Sequence, residues 1–157
     1  KKILTLQIMS KLTNSFRELD RFRSQLKKYN LKATAQRVAV HEAMMELGHA
    51  SVDMVCDWLK ENSQTTVTTT SVYNILSQMA QLRIYSYRMS ADNRMHFDVN
   101  VSGHMHMYDC ENHQYRDVMD EGLYEEILQR LGKRRFRGYR IEGVDIQFVV
   151  RPTRRRP

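Results

Sequence analysis

The clearest hydrophobic pattern in the chain lies between residues 69 and 82, where apolar positions recur at helical spacing. At 100° per residue, five apolar side chains share one face: Val72, Ile75, Leu76, Met79 and Leu82. The opposite face carries only hydroxyl, amide and phenol groups, on Thr70, Tyr73, Asn74, Ser77 and Gln81. The pattern predicts a helix with one buried and one presented side. Because the presented side has no carboxylate, it can bond phosphate oxygens and base edges without repelling a polyanion.

Two runs of β-type composition follow this helix directly, at residues 84–89 and 94–99. The four residues between them, Ser-Ala-Asp-Asn at 90–93, have turn chemistry. A helix followed by a hairpin is the element order of a winged helix-turn-helix. The sequence therefore predicts a DNA-reading helix with a wing behind it.

Upstream of this unit the pattern predicts three further helices. Residues 14–29 repeat apolar positions at helical spacing, with basic side chains between them. Thr34 can cap a second helix that ends at Gly48, and Ser51 can cap a third. We therefore predict a winged-helix domain over residues 14–99. Residues 1–13 would be an N-terminal arm for which the sequence indicates no function.

The hydrophobic pattern changes after residue 100, where short strand-like runs replace most of the helical repeats. Residues 103–109 and 114–118 are strand candidates, residues 121–131 have an amphipathic helical pattern, and residues 144–150 have a strong strand pattern. This order predicts a small mixed β-β-α-β module over residues 104–151, joined to the first domain by a hinge at residues 100–103. The Arg-rich residues 152–157 are expected to form a basic disordered tail. The predicted fold class is α+β.

Charge and composition narrow the classes of partner. In the 157 residues, 25 Lys and Arg exceed 18 Asp and Glu, so the formal net charge is +7. A basic balance favours nucleic acid or an anionic membrane surface as partner. No apolar run approaches the roughly 20 residues that span a bilayer, and the first residues lack the apolar core of a signal peptide. The chain is therefore expected to be cytoplasmic, with no membrane partner.

The densest chemical signal is a group of possible metal ligands. It comprises His96, His104, His106, Cys110 and His113, with His49 far upstream. In a strand, His104 and His106 point to the same face, so both can reach one ion. Imidazole and thiolate suit zinc, whereas imidazole combined with carboxylate suits iron or manganese. The alternative for these histidines is an ordinary surface or core position.

The other cysteine and histidine positions carry weaker signals. Cys110 and His113 have a loop spacing that lets two ligands reach one metal, but one such half-site is not a closed tetrahedral site. Cys56 lies in a helical apolar pattern and is expected to be a buried small hydrophobe. His41 is expected on a helix surface without a functional role. Two cysteines are also too few for a disulfide framework.

Six short segments together resemble the ferric uptake regulator (Fur) family, over about residues 30–150. They are LKATAQR at 31–37, GHASVD at 48–53, VTTTSVYNIL at 67–76, RMHF at 94–97, HMH at 104–106 and CENH at 110–113. The third segment is similar to the recognition helix of the family.

The resemblance implies a homodimer that binds promoter DNA, as a repressor, when a divalent metal holds its two domains at the DNA-competent angle. Residues 104–151 would be the dimerisation domain, and the ion would be Fe, Mn or Zn. His49, His104 and His106 would be ligands, and His96 would stand where the family commonly has a hinge carboxylate. The implied DNA-contacting residues are Arg37, Thr69, Thr70, Ser71, Tyr73, Asn74 and Ser77.

The sequence departs from the family pattern at its cysteines. Only Cys110 and His113 stand where the first CxxC pair is expected, and the second pair is missing, which excludes a four-cysteine structural zinc. The later ligand positions have only loose candidates, Asp117, Glu126 and Glu142. The alternative function is therefore a Fur-like winged-helix regulator that has lost metal control or senses another ligand, such as heme or peroxide.

An enzyme is the third possibility, as a metal-dependent nuclease or hydrolase with Glu111 or Asp98 as general base. The sequence contains no HExxH motif, no carboxylate pair at a metal-bridging spacing and no Gly-rich phosphate loop. We therefore expect a regulator and not an enzyme.

Overall fold

The computed structural model describes residues 16–153. Its helices are α1 at residues 16–28, α2 Ala35–Leu47, α3 Val52–Asn62, α4 Thr69–Gln81 and α5 Glu121–Gly132. Its strands are β1 His49–Ala50, β2 Ser86–Met89, β3 Met95–Asp98, β4 Met105–Asp109, β5 Gln114–Val118 and β6 Gln147–Val150. The expected N-terminal arm and residues 154–157 of the expected tail lie outside the described residues. Within residues 16–153, no helix has the length and apolar character needed to cross a bilayer.

Helices α1 to α4 pack their apolar faces into one core. Helix α4 buries Val72, Ile75, Leu76 and Met79, which confirms the predicted apolar face. Complete burial of one such side chain stabilises the fold by about 1.5–3 kcal/mol. This packing fixes the rotation of α4, so its polar face is turned away from the core.

Hydroxyl side chains cap the helices where the sequence predicts that they begin. Thr34 Oγ1 accepts a hydrogen bond from the Arg37 amide at 3.3 Å, and Ser51 Oγ accepts one from the Met54 amide at 3.4 Å. Thr68 caps α4 in the same way. Each such cap typically stabilises a helix by about 1 kcal/mol.

The strands form two three-stranded sheets. In the first, β3 lies between β1 and β2 and is antiparallel to both. In the second, β4 lies between the antiparallel β5 and the parallel β6. The β2–β3 hairpin is the predicted wing. The sequence does not predict β1, because two residues have no periodicity, yet the pairing of β1 sets His49 opposite Asp98.

Four strands are shorter than their patterns predict, namely β2, β3, β4 and β6. Strand β2 begins at Ser86 instead of residue 84, because the amides of Ile84 and Tyr85 both donate to the Met79 carbonyl and complete the end of α4. Strand β6 begins at Gln147 instead of residue 144, since its pairing with β4 begins there, opposite His106.

The expected surface position of His41 is wrong. The side chain is buried, with 6% exposure, because α1 packs across this part of α2. The His41 ring stacks on Phe22 with 3.9 Å between centroids, and its Nδ1 lies 2.7 Å from the Tyr85 hydroxyl. Burial lowers the pKa of His41 to about 4. The expected burial of Cys56 is confirmed, at 9% exposure.

Candidate metal centre and nucleic-acid interface

Five side chains from four strands and a loop converge where the two sheets meet. They are His49, Asp98, His104, His106 and Asp117, and each offers a ligand atom within 4.8 Å of those of the others. The β1–β3 register sets His49 opposite Asp98, and the β4–β5 register sets His106 opposite Asp117. His104 lies immediately before β4. The cluster thus draws ligands from both the winged-helix domain and the second sheet.

Three distances within the cluster match those between ligands around one ion. Asp98 Oδ2 lies 3.2 Å from His106 Nε2 and 3.4 Å from His49 Nδ1, and Asp117 Oδ1 lies 3.0 Å from His104 Nε2. Ligand atoms that each lie about 2.1 Å from a common metal are roughly 3.0–3.4 Å apart. These contacts can therefore form edges of one coordination polyhedron.

The hydrogen bond of His104 turns its second ring nitrogen toward the cluster. Its Nδ1 lies 2.7 Å from the Ser102 carbonyl, which can only accept, so Nδ1 is the protonated nitrogen. In the neutral ring, Nε2 then turns a lone pair toward Asp117 Oδ1. A cation between the two atoms relieves this repulsion. A carbonyl that orients a metal-binding histidine in this way is a common feature of metal sites.

The burial of polar groups in the cluster also favours a bound cation. Asp98 and His106 are each 1% exposed, and the buried Nδ1 atoms of His49 and His106 have no hydrogen-bond partner in the structure. Burial alone raises the pKa of Asp98, but the His106 hydrogen bond and the nearby His49 bring it below its usual value. Burial lowers the pKa of His49, against the opposing effect of Asp98. A divalent cation balances two carboxylates, and three imidazoles with two carboxylates suit Fe, Mn or Zn.

His96 does not lie in this cluster. Its ring is 1% exposed, its Nδ1 lies 3.3 Å from the Arg94 carbonyl, and it packs against the edges of Tyr108 and Tyr115. The family resemblance implies a carboxylate near the hinge, and the carboxylate that the structure places in the cluster is Asp98, two residues farther along β3 than His96. On sequence grounds, Asp98 is considered only as a general base. Its position two residues after His96, on the same face of a strand, could have indicated it as a ligand.

Cys110 and His113 lie in the turn between β4 and β5 and have separate partners. Cys110 Sγ lies 3.2 Å from the Val150 carbonyl, and His113 Nδ1 lies 2.7 Å from Asp92 Oδ2 in the wing turn. Among residues 16–153, the only group of three or more possible ligands is the five-residue cluster. Of the loose candidates, Asp117 lies in that cluster. Glu126 and Glu142 instead pair with Arg130 and Arg140 on the surface.

The polar face of α4 is exposed as the sequence predicts. Tyr73 is 52% exposed, and Thr69, Thr70 and Asn74 are exposed beside it, whereas Ser71 and Ser77 are partly buried. The α4 segment contains no acidic residue. Behind the helix, the wing exposes Tyr87, at 59%.

Arg37 lies in the first turn of α2, contacts α4 and is partly buried. Its Nη1 donates to the Lys32 carbonyl at 2.7 Å, and its Nη2 donates to Gln78 Oε1 at 3.0 Å. Two of its donors are therefore used within the protein, where they hold the first residues of α2 against α4.

Comparison with known proteins identifies the family. The sequence model of the ferric uptake regulator family matches residues 28–148. The chain belongs to the ferric uptake regulator family. The resemblance and the predicted α+β fold, with an N-terminal winged helix-turn-helix and a small mixed α/β domain, are confirmed. No curated protein matches the chain by sequence.

Solved structures of Fur-family regulators share this fold. The Vibrio cholerae ferric uptake regulator superimposes with a TM-score of 0.70 at 16% identity, covering 83% of this chain and 98% of that one. The Pseudomonas aeruginosa regulator with manganese gives 0.66 at 21% identity, covering 84% and 98%. The Helicobacter pylori regulator, described as having three functional metal-binding sites, gives 0.66 at 19% identity, covering 88% and 91%.

Proposed function

We propose that the chain is a metal-responsive transcriptional regulator that acts as a homodimeric repressor on promoter DNA. The observation that carries the proposal is the origin of the ligands. His49 and Asp98 belong to the sheet of the winged-helix domain, whereas His104, His106 and Asp117 belong to the second sheet or the residue before it. An ion held from both sides favours one arrangement of the two domains, and this difference in affinity is what a metal switch requires.

We infer that α4 is the DNA-reading element. Its exposed Thr69, Thr70, Tyr73 and Asn74, with Ser71 and Ser77 at the margin, offer donors and acceptors on a carboxylate-free face. Hydroxyl and amide groups of this kind bond both phosphate oxygens and base edges. We assign Arg37 to the same interface in a supporting role, because its hydrogen bond to Gln78 holds α4 in place. Since its proposed partner is promoter DNA, we expect the protein to act in the cytoplasm.

The second domain leaves an apolar surface that fits a homodimer. Helix α5 has no buried residue, and Leu123 on it is 39% exposed. On β6, Phe148 is 40% and Val149 is 55% exposed. Side chains of this kind are typical of the core of a homodimer interface. We therefore propose residues 104–151 as the dimerisation domain and residues 14–99 as the DNA-binding domain, with the hinge at residues 100–103.

We propose Fe, Mn or Zn as the regulatory ion, bound by His49, Asp98, His104, His106 and Asp117. The manganese in the P. aeruginosa regulator is consistent with a nitrogen and oxygen ligand set of this kind. A four-cysteine zinc site has no place here, because the sequence has only two cysteines and Cys56 is in the core. We propose no enzymatic role for Asp98, since it is 1% exposed and its oxygens already contact Asn100 and Arg88.

The proposal is tested by selecting sequences from a pool of random DNA duplexes, once with Mn²⁺ and once with a chelator. Enrichment of one sequence only with Mn²⁺ is the expected result. Equal enrichment with the chelator would contradict metal control and favour a regulator that has lost it. No enrichment in either condition would contradict specific DNA reading.

A further inference from the structure

A buried arginine lies beside the five-residue cluster without being one of its ligands. Arg88 on β2 is 8% exposed. Its Nη1 donates to Asp98 Oδ2 at 3.3 Å, and its Nε donates to Asp145 Oδ1 at 3.1 Å. Its guanidinium carbon lies 5.7 Å from the centroid of the Tyr115 ring. These three contacts fix the position of the guanidinium.

The guanidinium holds the oxygen of Asp98 that an ion would use. Asp98 Oδ1 accepts a hydrogen bond from the Asn100 amide at 2.7 Å, which orients the carboxylate. Oδ2 faces the cluster, 3.2 Å from His106 Nε2 and 3.4 Å from His49 Nδ1. Arg88 and a metal ion at the cluster would therefore compete for the same oxygen.

The charges in the site affect this competition differently in the ion-free and the ion-bound protein. With neutral imidazoles, the ligand set carries two negative charges, on Asp98 and Asp117. A divalent ion balances both, and Asp145 balances Arg88. The guanidinium nevertheless lies against Asp98 Oδ2, where it faces the ion as a second positive charge. Like charges repel more strongly in a partly buried site than in water. Without the ion, the same guanidinium offsets the buried charge of Asp98. Arg88 thus favours the ion-free state over the ion-bound state.

Arg88 is also part of the wing. It lies opposite His96 in the β2–β3 hairpin. The carbonyl of the next residue, Met89, accepts a hydrogen bond from Gln147 Nε2 at 3.2 Å. Asp145 and Gln147 both belong to the segment that forms β6 and its approach. A shift of the Arg88 side chain would therefore act on β2 and on its contact with the second sheet.

We propose that Arg88 couples ion binding at the cluster to the position of the wing, by holding Asp98 Oδ2 in the ion-free protein and yielding it to the ion. This inference rests on the proposed function, because it assigns the regulation of the same site. Arg88 acts through Asp98 and is a positioning residue. It does not itself bind the ion.

A Co²⁺ titration of the purified chain tests the competition without DNA, because the visible absorption of the ion reports its ligands. Loss of the guanidinium in Arg88→Gln is expected to lower the Kd for Co²⁺ by about tenfold, the lower end of what groups around a metal's direct ligands contribute. In Asp145→Asn, Arg88 loses its second carboxylate and binds Asp98 alone, so the Kd is expected to rise. Unchanged or weaker Co²⁺ binding by Arg88→Gln would overturn the proposal.

Arg88→Lys separates charge from shape. Lysine keeps the positive charge but lacks the fork that reaches two carboxylates, so the Kd is expected to return toward that of the wild type. A lysine variant that binds Co²⁺ as tightly as Arg88→Gln would overturn the role of charge. Should Arg88→Gln fail to fold, Asp145→Asn decides the question, since the Asp145 side chain is 48% exposed. A Kd that does not rise in that variant would then overturn the proposal.

The coupling itself is measured as the ratio of the DNA Kd without Co²⁺ to that with it, on a duplex selected by the wild type. Arg88→Gln is expected to retain the ion and to reduce this ratio by about fivefold or more. A large wild-type ratio that Arg88→Gln leaves intact would overturn the coupling. A wild-type ratio of one would instead contradict the proposed function, while the Co²⁺ titration would still report on the competition.

Discussion

His49 Nε2 lies 2.6 Å from Asp117 Oδ1, and this contact joins strand β1 of the winged-helix domain to strand β5 of the second sheet. The His49 side chain is 9% exposed and the Asp117 side chain 33%. The contact is thus mostly shielded, and it lies within the cluster that we propose as the metal centre. An ion that binds these two residues would therefore also hold the two domains together.

Removal of either residue is expected to weaken metal binding. His49→Ala deletes one ligand, and Asp117→Asn removes the negative charge of another, so the Kd for Mn²⁺ should rise by about 100-fold or more, because even outer groups contribute 10–100-fold. His113→Gln is the matched control, since His113 contacts Asp92 in the wing turn and lies outside the cluster. Equal loss of Mn²⁺ binding in the control and in His49→Ala, measured by calorimetry, would contradict the assignment.

Tyr73→Ala is expected to weaken sequence-specific DNA binding by about 1–3 kcal/mol if the phenol reads a base, and by less if it contacts only phosphate. The protein should remain folded, because the side chain is 52% exposed. Fluorescence anisotropy on a selected and a scrambled duplex separates the two cases. Tyr139→Ala provides a control at an 85% exposed tyrosine of the second domain. Unchanged affinity for the selected duplex would remove Tyr73 from the interface.

Acid is expected to destabilise the fold through His41. Its pKa is about 4 in the folded protein against an ordinary value of 6.5, so between these values the unfolded chain binds the additional proton. The contribution of neutral His41 to the free energy of unfolding is therefore complete above pH 6.5. It is lost as the pH falls toward 4, by about 3 kcal/mol in total. Urea unfolding at several pH values, with a chelator present, measures this dependence.

The matched variant for this test is His41→Gln, which keeps a polar group near Tyr85 but does not titrate. It should be less stable at pH 7.5, because the stacking on Phe22 is lost, and its stability should fall less steeply with acid. An equally steep fall in the variant would show that the dependence arises from other groups.

A charge on the exposed apolar surface of β6 is expected to separate the proposed dimer. Val149→Glu places a carboxylate at a position that is 55% exposed in the single chain, so the monomer should fold normally. Sedimentation velocity should show a monomer at concentrations where the wild type is a dimer. Met45→Glu, on α2 and 39% exposed, is the control and should leave the dimer intact. A dimer that persists in Val149→Glu would place the interface elsewhere.

The helices and the wing could be predicted from sequence because their apolar positions repeat. The buried positions of α4, Val72, Ile75, Leu76 and Met79, follow the helical period. The burial of His41 could not be predicted in this way. It depends on how α1 crosses α2, and the hydrophobic repeat within α2 does not show which other helix packs against it.

The proposed metal ligands could be predicted from sequence only where the residue type itself indicates metal binding. His49, His104 and His106 were recognisable as imidazoles in a family pattern. Asp98 and His96 lie two residues apart on the same strand, so their spacing gives both the same face. What distinguishes them is register, since Asp98 lies opposite His49 on β1, a strand of two residues without periodicity.

The most direct test of the central claim is the affinity of the chain for a selected duplex, measured with and without Mn²⁺ in the wild type and in Asp98→Asn. The account predicts that Mn²⁺ strengthens wild-type binding by about tenfold or more. It also predicts that the ion has little effect on Asp98→Asn, in which the proposed ligand on β3 is neutral. Equal wild-type affinity with Mn²⁺ and with a chelator would contradict the account.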